Sequence, residues 1–205
     1  MRKFTAIMLV ILTGATLCGC SSGYETDSSF IVSAVGFDLS DGGFSVSVEA
    51  LVTESGKDGP VSAVFSGEGE TPDGAISEIM SLLPKNLVFD HCGTVVLGNG
   101  LLEKNFSDIM EFCRKKSSLN LAVLLVCTEN AKNLLSGDPP SSYSVGYDVM
   151  GILEQNGKKK NIDYGNRFYE LENRMGEADK IMLPYFSLKD GCICLDGFAA
   201  AADGR

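Results

Sequence analysis

Apolar and polar positions alternate along this chain in a way that divides it into short segments. Phe30-Ile-Val-Ser-Ala-Val-Gly-Phe-Asp38 is almost continuously apolar and predicts a buried strand. Asp41-Gly42-Gly43 is a hairpin signal, because glycine accepts positive φ without steric cost. Phe44, Val46, Val48 and Ala50 then alternate with Ser45, Ser47 and Glu49, which predicts a half-buried strand of period 2. Residues Glu54 to Pro60 read as a polar loop and Val61 to Ser66 as a third strand. Gly67-Glu-Gly-Glu-Thr71 reads as a strand-to-helix turn.

The period then changes. Thr71 followed by Pro72 is a helix start, with a capping hydroxyl and a residue whose missing N–H costs nothing in the first turn. Ile76, Ile79, Met80 and Leu83 fall on one helical face, and Pro84 stops the run. Two short strands are expected at Leu87-Val-Phe89 and Thr94-Val-Val-Leu-Gly98. A second helix carries Leu102, Phe106, Ile109, Met110 and Cys113 on its apolar side. Leu119 to Cys127 is a nearly continuous apolar run, as in a strand covered on both faces. Thr128 is placed to cap a short helix ending near Leu135, before the breaker Gly137-Asp-Pro-Pro140. Val145 to Gln155 predicts another helix, ended by Gly157, with Lys158, Lys159 and Lys160 in a solvated turn. Asn161 to Glu177 is polar and helical in pattern. Ile181 to Leu188 reads as a strand broken by Pro184, and Cys192 to Ala202 as a further strand. Asp203-Gly204 is a last hairpin signal. The expected fold is α/β (α+β): a mixed β-sheet of about six to eight strands packed with about three to five helices in a single main domain.

The first residues follow a different logic. Arg2 and Lys3 precede an uncharged, largely apolar run from Phe4 to Leu17. That run is too short to cross about 30 Å of hydrocarbon, which takes about 20 residues. Basic start, apolar middle and small residues near a cut form an export signal. It ends in Leu17-Cys18-Gly19-Cys20, a lipobox pattern. Cys20 is the expected lipidation site; Cys18 is the poorer choice, because bulky Leu17 would sit just before the cut. Ser21 to Ser29 is a Ser-rich, polar tether.

Charge narrows the partners. The chain has 27 acidic and 17 basic residues, and Arg2 and Lys3 lie in the expected signal, so the remainder is more acidic still. Such a surface argues against nucleic acid and against a broad polybasic grip on anionic lipid, which leaves the lipid itself as the membrane attachment. Two acyl chains suffice for that, whereas one is marginal.

Candidate chemistry is sparse. His91, beside Asp90, is the single histidine, so no imidazole-based metal triad can form, and no G-x-S-x-G elbow is present. It is read as structural. The Gly67–Thr71 segment lacks the Lys of a phosphate loop, Pro72 replaces the third glycine of a dinucleotide fingerprint, and its two glutamates repel phosphate. Beyond Cys18 and Cys20 there are five cysteines, an odd number, so not all can pair. Cys92, Cys113 and Cys127 are read as buried free thiols, and Cys192-x-Cys194 as two thiols on one face of a strand. No catalytic residue, metal ligand or cofactor is expected.

Seven stretches in order resemble the N-terminal domain of the spore germination Ger(x)C lipoproteins, the C subunits of nutrient germinant receptors. They are Ser33-Ala-Val-Gly-Phe-Asp38, Phe65-Ser-Gly-Glu-Gly-Glu-Thr71, Leu83-Pro-Lys-Asn-Leu-Val-Phe-Asp-His91, Val95-Val-Leu-Gly98, Leu119-Asn-Leu-Ala-Val-Leu-Leu-Val126, Met182-Leu-Pro184 and Gly197-Phe-Ala199. The chain departs from the pattern directly after Cys20, where the family carries a Trp-Asp and Arg-Glu-rich segment and this chain, which has no Trp, does not. The resemblance implies residues 1–19 as signal peptide, 20–29 as lipidated Cys and flexible tether, and 30–205 as the family's N-terminal domain, with the later family domains absent. It also implies a non-enzymatic subunit on the outer face of the spore's inner membrane, beside two integral membrane receptor subunits, one transporter-like and one channel-like. The competing expectation is an extracytoplasmic solute-binding or structural sporulation lipoprotein.

Overall fold

In a computed structural model of the chain, β1 (Ser29–Ser40) is an interior strand of the sheet. The structure describes residues 29–53, 59–139, 141, 143–175, 177 and 180–202; the signal, Cys20, most of the tether, most of the loop before Pro60 and Asp203-Gly204 lie outside them. β1 pairs antiparallel with β2 (Gly43–Thr53), which pairs antiparallel with β3 (Pro60–Gly69). Along its other side β1 runs parallel first to β4 (Asn86–Val88) and then to β5 (Thr94–Gly98). The sheet continues through parallel β6 (Leu124–Thr128) and β7 (Lys180–Lys189) to antiparallel β8 (Cys192–Ala202). The α+β expectation and its strand range hold: eight strands form one mixed sheet among the described residues.

Among the same residues five α-helices cover it. On one face α1 (Pro72–Leu82), α2 (Phe106–Lys115) and α5 (Phe168–Arg174) close the larger core, where Phe37, Val46, Ile79, Phe106, Ile109 and Phe168 meet. On the other, α3 (Ala131–Leu135) and α4 (Val145–Lys160) bury Ala34, Val96, Val126, Leu134, Val149 and Phe186. Parallel strands need such cover on both faces.

Local chemistry explains much of this. Thr71 Oγ1 accepts from the Gly74 N–H at 3.1 Å, and Pro72 opens α1 as expected. Ala75, Ile76 and Ile79 are buried on that helix, whereas Met80 is 40% exposed and does not belong to the buried face. Gly67 and Gly69 extend β3 rather than forming the turn, which falls at Glu70-Thr71. Their missing side chains let α1 approach: a Cβ on Gly69 would stand 2.6 Å from the Ala75 nitrogen. At the β1–β2 turn the positive φ falls on Gly43 alone, at 138°.

Other expectations shift. The apolar run from Leu119 gives a strand only from Leu124; Leu121 is 57% exposed in a turn. Asn130, not Thr128, caps α3, its side chain accepting from the Asn133 N–H at 2.8 Å, because Thr128 is still paired in β6. α4 runs through Gly157 to Lys160 and ends at Asn161, whose left-handed φ of 52° stops it. The three lysines thus form the last helical turn, where cations favour the negative end of the dipole. The polar stretch after Asn161 is helical only over α5. Pro184 does not break β7: it pairs with Phe198, and β7 meets β6 at the single pair Cys127↔Tyr185, so few ladder bonds are asked of it there.

Candidate functional site

Glu49 is the largest departure from the sequence reading. The period of β2 puts Ser45, Ser47 and Glu49 on one face, and α3 and α4 cover that face, so Ser47 and Glu49 are buried; Glu49 is 0% exposed. Its carboxylate accepts five hydrogen bonds. Oε1 takes the Ser62 hydroxyl at 2.7 Å and the Val145 N–H at 2.7 Å. Oε2 takes the Ser33 and Ser144 hydroxyls, each at 2.8 Å, and the Gly146 N–H at 2.9 Å. Ser33 reaches it because β1 carries a bulge there: Val32 pairs with Ala50 and Ala34 with Glu49, leaving Ser33 as the extra residue. Ser144 caps α4, so the carboxylate sits at the positive end of that helix's dipole.

Asp38 repeats the device at the far end of β1. Its Oδ1 accepts from the Ala131 N–H at 2.8 Å and its Oδ2 from the Lys132 N–H at 3.0 Å, at the start of α3. The two helices of this face are therefore each tied to the sheet by a carboxylate. Every lone-pair direction of Glu49 is engaged and solvent is excluded, so the site holds structure together and offers no reactive oxygen to a substrate.

His91, read as structural, stands exposed in the turn before β5, and its backbone carbonyl accepts from the Tyr147 hydroxyl at 3.3 Å. Cys92, Cys113 and Cys127 are buried free thiols, as the sequence suggests. Burial pushes Cys92 and Cys127 up to about 12 and Cys113 further. Cys192 is exposed and Cys194 half-buried, both free. Thiolate is the reacting species, and at neutral pH a thiol of pKa about 12 presents on the order of 10⁻⁵ of it. In the mature folded chain a maleimide should therefore modify Cys192 and Cys194 first, and the other three only once denaturant opens the domain. Peptide mapping checks this; early modification of Cys92, Cys113 or Cys127 would contradict the burial.

A cleft of about 570 Å³ lies between the C-terminal half of α4 and residues 161–167. Leu124, Met150, Leu153, Ile162 and Tyr164 give it an apolar lining, and Glu154, Lys158, Asp163 and Arg167 a charged rim. Its loop wall is fixed from several sides. Leu125 and Asn166 exchange hydrogen bonds, the Leu125 N–H to the Asn166 carbonyl at 2.8 Å and the Asn166 side-chain amide to the Leu125 carbonyl at 2.9 Å. Arg167 bridges to Leu124, and Tyr164 lies against the Phe198 ring at 5.9 Å. Nothing in the sequence alone marked Glu49 or this rim, because the partners of each come from distant segments.

Among the described residues no cluster of three or more His, Cys, Asp or Glu side chains is placed to hold a metal ion, and no helix is long and apolar enough to cross a membrane. Comparison with known proteins adds a family. The one described as spore germination protein N-terminal domain matches residues 24–188. A curated relative, spore germination protein GerQC of Bacillus cereus, is 21% identical over 193 residues, which cover 94% of this chain and 54% of the relative. The chain thus spans about half the length of that relative. No solved structure matches.

Proposed function

The chain belongs to the family of the spore germination protein N-terminal domain, and from that premise we propose that it is a lipid-anchored, non-catalytic subunit of a nutrient germinant receptor. In this reading residues 1–19 are the signal peptide, Cys20 carries the lipid, and the domain from residue 30 onward works by contact with integral membrane partners, one transporter-like and one channel-like. The observation that carries it is the family match from residue 24, directly behind Leu17-Cys18-Gly19-Cys20. In the same reading a tether of a few residues holds the domain beside any partner in the same membrane at high effective concentration. One further feature supports it. The buried carboxylate of Glu49 is consumed by structural hydrogen bonds.

Deleting the gene should leave growth and spore formation intact and impair the response of spores to at least one nutrient. Affinity capture from spore membranes should recover a multi-span partner. Normal germination of the deletion strain on every nutrient tested, with no homologue present, would overturn the reading.

A further inference from the structure

We propose that Cys192 and Cys194 form a two-thiolate site for a monovalent soft metal ion, of which Cu(I) is the type. Both thiols are free, Cys192 exposed and Cys194 half-buried. They follow the tight turn between β7 and β8, where Asp190 holds φ at 53° and Gly191 at 79°. Directly after that turn the ladder is regular: Lys189 pairs with Cys192, Leu188 with Ile193, Ser187 with Cys194 and Phe186 with Leu195. The bulge falls only beyond, between Tyr185 and Phe186. Strand alternation therefore puts both thiols on one face, opposite Ile193, which is buried in the smaller core.

The spacing opposes one fate and suits another. Residues two apart on a strand lie about 6.6 Å from each other, whereas a disulfide needs its two Cβ atoms at about 3.8 Å. A Cys192–Cys194 disulfide would therefore break the ladder beside the turn. Staggered rotamers that lean the two sulfurs toward each other leave them roughly 4–5 Å apart. Two thiolate–metal bonds of about 2.3 Å set end to end span that gap. A linear pair of thiolates is a complete coordination shell for a monovalent d10 ion, and thiolate sulfur is the donor that selects Cu(I).

The surroundings favour such an ion over zinc. Zinc closes a structural site with four ligands, and among the described residues no third Cys, His, Asp or Glu joins the pair. Asp196, the one acidic side chain of β8, already accepts from Ser187 and Lys189. Binding replaces two S–H bonds by two Cu–S bonds and releases two protons to solvent, with no change of oxidation state. The product carries one net negative charge. Lys189, directly across the ladder from Cys192, supplies the balancing ammonium, which has three donors and gives one to Asp196. A divalent ion would form a neutral pair with open positions and no use for that cation. This inference concerns the isolated chain and does not depend on the receptor reading.

The test uses the full chain carrying Cys18→Ser and Cys20→Ser, so that no lipobox thiol competes, purified in detergent and kept reduced under argon. Cu(I) is supplied from a chromophoric Cu(I) chelator with ascorbate present. The chain should withdraw one ion per monomer with a Kd below about 1 nM, and X-ray absorption should show two sulfur neighbours. The bound ion should shield Cys192 and Cys194 from maleimide. Cys192→Ser and Cys194→Ser should each weaken binding by more than about hundredfold, the upper end of what losing an outer partner costs, with the melting temperature unchanged. Lys189→Gln should weaken it by about tenfold and keep both sulfur neighbours. If a serine variant fails to fold, Cys192→Ala or Cys194→Ala takes its place and should show the same loss. The inference is overturned by no uptake at that affinity, by an ion held between two copies of the chain, by zinc held more tightly than Cu(I), by shielding of Cys92, Cys113 or Cys127 instead, or by folded variants that bind like the parent.

Discussion

Replacing Glu49 by Ala is expected to destabilise the domain by about 4 kcal/mol, more than an ordinary surface or core substitution. The change strands the Ser144 hydroxyl and the Val145 and Gly146 N–H groups in a region closed to solvent, and leaves Ser33 only the backbone carbonyl of residue 49 at 3.2 Å. Each buried donor left without an acceptor costs about 1–3 kcal/mol, and partial relaxation lowers the total. For a domain of this size the melting temperature should fall by roughly 8–16 °C.

Glu49→Gln is the informative companion. A hydroxyl can turn to accept from the new amide, but a backbone N–H cannot. Placing the NH₂ at the Oε1 position sets it against the Val145 N–H, and placing it at Oε2 sets it against the Gly146 N–H. Gln should therefore also destabilise, by about 2 kcal/mol. Thermal denaturation followed by circular dichroism measures both. An Ala variant melting within about 2 °C of the parent would show that the carboxylate does not hold α4 to the sheet.

The second large effect concerns attachment. Intact mass of the membrane-extracted chain should show cleavage before Cys20 and added diacylglycerol. Cys20→Ser should carry no lipid and leave the membrane fraction. Burying acyl chains contributes about 0.8 kcal/mol per CH₂, and the acidic surface offers no substitute grip on anionic lipid. An unlipidated mature chain starting at another residue, or a Cys20→Ser variant that remains wholly membrane-bound, would end this reading.

What could be read from the sequence was local. Thr71-Pro72 marks the start of α1 because a cap and a proline act within one turn. β1 was legible because nearly all of its positions are apolar. The misreadings share one cause. The period of β2 gives its two faces but cannot say that α4, far along the chain, will cover the second one. Gly157 has the composition of a helix end, yet the helix continues until a residue in the left-handed region stops it at Asn161. Pro184 breaks a strand only where its neighbours require a full ladder, and the pairing of β7 decides that. The rim of the cleft was unreadable for the same reason: Asp163 and Arg167 lie in a polar stretch that looks helical, and only its pairing with Leu124 and Leu125 turns it into a wall.

The bond between Glu49 and the start of α4 also sets an order of events in folding. The β1–β2–β3 meander is contiguous in sequence and can pair early, but β1 finds its parallel partner β5 only after Thr94 is available. Glu49 finds its last donors only at Gly146, a separation of 97 residues. Closing such long loops before their contacts repay the lost entropy makes for slow folding. Until then an unfinished chain carries a carboxylate answered only by the Ser33 and Ser62 hydroxyls, on a sheet face bound for the interior, so a fragment ending before α4 should fail to reach a stable native state.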